Sequence, residues 1–154
     1  MSYQAMADAL AKLVQQKAPG AKHFNSRNVS AEGDWDILDS SGGLALVLEK
    51  GPSARPDQTL TGFRAVNWTI RATVCSRYTT PLRVHKEVTE AVQALMDTVD
   101  AWWKFNATTN LLNGYVQGDE GVIPLFDTVG GGPHYMACVV TIIAEESNTT
   151  AAQE

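Results

Sequence analysis

Between Phe63 and Phe105 the chain passes from a strand straight into one long helix, and no other stretch constrains the fold as much. Val66, Trp68, Ile70, Ala72 and Val74 alternate with Ala65, Asn67, Thr69, Arg71, Thr73 and Cys75. This two-residue period belongs to a strand with one face on a core and a more polar face opposite. After Thr79 and Thr80, Pro81 opens an apolar stripe at helical spacing through Val84, Val88, Ala91, Val92, Leu95, Met96, Val99, Trp102 and Trp103. Thr80 is a suitable cap, and a proline at the first helical position gives up no hydrogen bond, because that N–H has no partner within the helix.

Drawn at about 100° per residue, the stripe is roughly 140° wide, broader than the ~100° that a single core contact needs. Trp102 and Trp103 fall on its opposite edges, Trp103 beside His85, Val92 and Met96. Two readings follow for Met96 and Trp103: both pack into a broad core, or this edge serves a second contact.

The remaining elements follow from the same periodicities. Met6, Ala9, Leu10, Leu13 and Val14 predict a shorter helix over Tyr3 to Lys17, ended by Pro19 and Gly20. A short strand is expected at His23 and Phe24. Residues 25–41 form a polar insert with Val29, Trp35, Ile37 and Leu38 as its anchors, and Leu44 to Glu49 reads as a buried strand. Residues 50–62 carry Pro52 and Pro56 without periodicity, and since they join two strands they read as an extended hairpin arm. Leu111 to Gln117 and Val122 to Phe126 predict a strand and an irregular edge strand carrying Pro124, separated by a turn at Gly118 to Gly121. Tyr135 to Ala144 is apolar on both faces, as a central strand would be. The expected fold is therefore α+β, a mostly antiparallel sheet with one long and one shorter helix packed on one face. A single domain over residues 1–145 and a polar, disordered tail at 146–154 complete it.

With 154 residues, a chain of this kind buries roughly 70% of its unfolded surface and needs no metal or disulfide to hold a core. The net charge of -5 opposes retention of phosphate polymers. No run approaches the ~18 apolar residues of a membrane span, and Met1 to Gln4 does not open a secretory leader. Folding in a cytoplasm is expected, with Cys75 and Cys138 reduced.

The residues that invite a chemical reading do not complete one. Gly130, Gly131 and Gly132 precede Pro133 and a strand, whereas a phosphate loop opens onto a helix. Counted from Asp34, a calcium loop would need oxygen ligands at its first, third and fifth positions, glycine at the sixth and glutamate at the twelfth. Asp36 fits the third, but Leu38, Asp39 and Ala45 occupy the other three. His23, His85 and His134 stand alone, and Cys75 with His85 lacks a third member for a nucleophilic triad. No catalytic, metal-binding or cofactor-binding residue is expected, and the chain reads as a non-enzyme.

The run from Asn67 to Arg77 (NWTIRATVCSR), the helix from Leu82 to Trp103 and the strand from Met136 to Ile143 together resemble the tail terminator (tail completion) proteins of long-tailed bacteriophages. The resemblance covers about the last two thirds of the chain. It implies a structural virion protein, assembled in the host cytoplasm, that forms a hexameric ring on the head-proximal end of the tail tube. Such a ring stops tube growth and joins the tail to the head or neck. The implied partners are other copies of the chain, the major tail tube protein and the neck proteins, with DNA only passing through the lumen. The insert at 25–41 and the C-terminal tail depart from the family pattern. Another neck or head-tail adaptor is the alternative, and a small-molecule-binding domain with Trp68 or Tyr135 in a pocket is a third reading.

Overall fold

The computed structural model describes residues 3–41, 43–54, 65–77, 81–102, 111–126 and 133–147. The expected cap at Thr80, Trp103, the glycines at 130–132, the arm beyond Ala54 and the tail beyond Ser147 lie outside these residues.

The alternating run becomes a strand that continues without interruption from Ala65 to Arg77, here β3. Its apolar face, Ile70, Ala72 and Val74, is fully buried in the main core. The elements before it are α1 (Tyr3–Gln16), a 3-10 turn (Gly20–Lys22), β1 (Val29–Ser30), the one-turn α2 (Ile37–Ser40) and β2 (Leu44–Lys50). After it come α3 (Pro81–Ala101), β4 (Leu111–Asp119), β5 (Ile123–Phe126) and β6 (Pro133–Ser147). The strands form one sheet in the order β1-β2-β3-β6-β4, with β5 also pairing β6. Every pairing is antiparallel except β1 with β2, so the architecture is α+β.

The two long helices, α1 and α3, lie on one face of the sheet. Met6, Leu10, Leu13 and Val14 of α1 and Val84, Val88, Ala91, Leu95 and Val99 of α3 meet Leu46, Leu48, Ile70, Val74, Val140 and Ile142 in a single apolar cluster. Fully burying an aliphatic side chain of this size contributes roughly 1.5–3 kcal/mol, so this layer dominates the fold's stability. Pro81 is the first residue of α3, as its fixed φ and missing donor favour.

The opposite face has a smaller cluster of Leu38, Ala45, Cys75 and Ala137, with Ile37 and Tyr135 packed against it. In register, Ala45 stands beside Cys75 and Cys75 beside Ala137. Small side chains on three adjacent strands thus leave a shallow floor that accommodates α2.

The central position expected for the last strand is observed, since β6 pairs with β3, β4 and β5. Its length differs from expectation. Glu146 and Ser147 pair with Val66 and Ala65, so the strand extends into residues expected to start the tail. The turn expected at Gly118 to Gly121 does not reverse the chain. Asp119 pairs with Val140 and Ile123 with Ala137, both antiparallel, so β4 and β5 follow the same side of β6 in succession. The edge advances by one residue more than β6 does, a bulge. Gly121 adopts φ 79° there and donates its N–H to Asp119 Oδ1 at 2.9 Å, a backbone conformation that favours glycine.

His23 and Phe24 do not form a strand. They close the turn that starts at Gly20, whose carbonyl accepts both of their N–H groups at 2.9 Å, and Phe24 then enters the main core. The insert at 25–41 is folded onto the sheet. The Asn28 side chain accepts the Asn25 N–H and donates to the His23 carbonyl, while Ser30 Oγ accepts the Asp34 N–H at 3.0 Å. Short polar side chains that bond to nearby backbone are the usual means of ordering such a segment.

Candidate interaction surfaces

Among the described residues no group of three or more His, Cys, Asp or Glu side chains is placed to hold a metal ion. His23 lies beside Phe24, whereas His85 is exposed on α3. Asp34 accepts the Asp36 N–H at 3.0 Å in a local turn.

Cys75 and Cys138 are both free and buried, and they belong to different clusters on opposite faces of the sheet. Burial raises both thiols, because desolvation penalises the thiolate, and Cys75 is pushed from 9.0 up to about 12. Neither is therefore primed as a nucleophile. The folded chain keeps the Cys75 proton where the unfolded chain loses it, so this contribution is complete below pH 9 and is lost progressively toward 12. Denaturant midpoints measured across that interval should decline, and less steeply for Cys75→Ala.

Trp68 and Tyr135 do not share a pocket. Trp68 packs against the main core and donates Nε1 to Glu146 Oε1 at 3.4 Å, whereas Tyr135 joins the second cluster. They also stand at opposite ends of the β3–β6 ladder, where Trp68 pairs with Ala144 and Tyr135 with Arg77.

The remaining candidates are surfaces. Met96 is partly buried against the main core and Val92 is buried, so the apolar edge of α3 is narrower than its sequence implies. Trp102 lies just past the helix end, is 39% exposed and carries Lys17 Nζ over its ring at 4.5 Å, a cation–π contact. Tyr115 and Ile123 are also exposed. They stand opposite Ile143 and Ala137, on the sheet face away from the long helices. An open groove of about 630 Å³ lies beside β1, lined by Arg27, Val29, Ser30, Asp34 and Ile37 among others.

β2 and β3 pair antiparallel from Leu44 with Ser76 to Lys50 with Ile70, and Ala54 and Asn67 exchange two further backbone hydrogen bonds. The groove, β1 and α2 were not foreseen from sequence. Their only local signal is the density of Asn, Ser and Asp, which marks turns without locating a two-residue strand.

Among the described residues, no helix is long and apolar enough to cross a membrane. Comparison with known proteins finds no matching protein-family model and no matching curated protein.

Proposed function

We propose that the chain is a structural subunit of a phage tail, a tail terminator that assembles head-to-tail into a hexameric ring on the head-proximal end of the tail tube. The observation that carries this reading is the continuity of the residues bearing the resemblance. Ala65–Arg77 is one strand, Pro81–Ala101 one helix, and the strand that pairs with β3 along its whole length is Pro133–Ser147. A subunit of this kind acts by surface complementarity. A contact between two unlike patches closes into a ring when its rotation permits. In this reading the hairpin arm and the Met96 edge of α3 supply lateral contacts, and tube and neck proteins occupy the two rims. A ring of acidic subunits, each at -5, repels the phosphates of DNA passing through the lumen.

Mass photometry of the purified chain, with and without tube protein, should yield a closed multimer or a tube bearing a single cap. A monomer that never engages tubes would rule the reading out. Images of an intact particle should place the chain on the last tube ring; a position beyond it, in the neck, would identify the adaptor alternative.

A further inference from the structure

The groove beside β1 opens along a sheet edge. β1 is the outermost strand on its side of the sheet, with Val29 opposite Leu46. Leu46 donates its N–H to the Asn28 carbonyl at 2.7 Å, so by the alternation of a strand the N–H and carbonyl of Val29 point away from β2 and toward the groove. Val29, Ala31 and Ile37 line it with apolar surface. Its charged lining residues, Arg27, Glu32, Asp34 and Asp36, are all exposed, one positive and three negative for a net of -2. An edge of this kind accepts an extended segment as one more strand, with main-chain bonds supplying affinity and side chains supplying selectivity.

We propose that residues 55–64 of a second copy occupy this groove and pair with β1. The segment joins Ala54 to β3, and Ala54 and Asn67 exchange hydrogen bonds at 2.9 and 2.7 Å, so it is tied to the sheet at both ends. It carries Arg55, Asp57 and Arg64, two positive charges and one negative, opposite in net sign to the groove. Leu60 and Phe63 suit the apolar lining, and Pro56 disfavours helical backbone at Arg55. The groove it fills is not its own. Val29 stands opposite Leu46, which precedes Ala54 by eight residues on a run bonded to β3 at Lys50, Gly51 and Ala54. That is about 26 Å at 3.3 Å per residue. Ten residues anchored at both ends extend no further than about 18 Å, five residues out and five back. Segment and groove are therefore unlike surfaces at different places on one subunit. Each copy gives one to a neighbour and receives the other, the head-to-tail contact that a ring requires. The inference rests on the ring reading and names its lateral contact.

Two variants of the full chain and their combination test this. E32K/D36K makes the groove lining basic, and R55E/R64E makes the segment acidic. Each alone should raise the concentration needed for ring formation by about tenfold or more, because like charges then meet at every contact. The four changes together should return it close to the wild-type value, since groove and segment attract again with their signs exchanged. Glu32 and Asp36 are exposed, so E32K/D36K should melt near the wild-type temperature. In the unaltered chain, hydrogen exchange at the Val29 N–H should be slower in the ring than in the dilute subunit. If rings form and Val29 exchanges equally fast in both, the inference fails and the ring reading stands. The same holds if either double variant assembles as readily as the wild type, or if the combined variant is folded and does not recover. A wild-type product that stops at one or two copies overturns the ring reading and the inference with it.

Discussion

Ile70→Ala is expected to lower the stability of the chain by about 2–5 kcal/mol, read from denaturant unfolding with an unchanged slope. Ile70 is fully buried at the middle of β3, with Lys50 beside it on one neighbouring strand and Ile142 on the other. The truncation removes three carbons from a layer held between the sheet and both long helices, where backbone on either side limits collapse into the cavity. Set against the 5–15 kcal/mol available to a typical domain, the loss approaches the whole margin. The control is the adjacent residue. Arg71 is exposed on the opposite face, so Arg71→Ala should change stability by no more than about 0.5 kcal/mol. Equal effects at the two positions would mean that the sheet buries its faces differently from the description above.

That contrast also shows what was legible in the sequence. β3, α1 and α3 were readable because each repeats a period of two or of 3.6 over many residues, and β6 because its run is apolar on both faces over the length of a central strand. The sequence pattern was least informative where tertiary contacts act on single residues. Ala7 is fully buried although Ala9, foreseen in the stripe, is only partly so, because alanine fits either the core or the boundary of α1. Trp102 falls outside the core because α3 ends at Ala101, one residue before it. The second face was foreseen as the polar one, yet Thr73 and Cys75 are buried there. Burial of such small or hydroxyl-bearing side chains depends on what lies above the sheet, and α2 is too short to announce itself by periodicity.

The surfaces proposed for assembly were legible only in part. The apolar edge of α3 was visible as a stripe that is too wide, but the structure assigns Val92 to the core.

Gly20→Ala and Thr98→Val should each lower stability by about 1–3 kcal/mol, and the double variant should lower it by clearly less than the sum. Thr98 is fully buried on α3, where its hydroxyl donates to the Ala94 carbonyl at 2.7 Å and accepts the Gly20 N–H at 2.9 Å. This hydrogen bond joins the turn after α1 to the side of α3, tying two segments 78 positions apart in the chain. Valine preserves the shape of threonine but leaves the Gly20 donor buried without a partner, and the cost of that orphaned group exceeds the net value of the bond. Alanine at position 20 acts by volume. Its Cβ would lie 2.8 Å from the Val14 carbonyl oxygen and 3.0 Å from Thr98 Oγ1, and since the nearer atom is α1 backbone, the turn itself must shift relative to α1, carrying the Gly20 N–H away from its place beside Thr98. Once the turn has moved, the hydrogen bond is already stretched, so removing the hydroxyl costs little more, which is the non-additivity expected of groups in direct contact. A double-mutant cycle in urea measures this coupling. Strict additivity would show that the turn and α3 are held together by their apolar side chains alone, with Thr98 contributing only to its own helix.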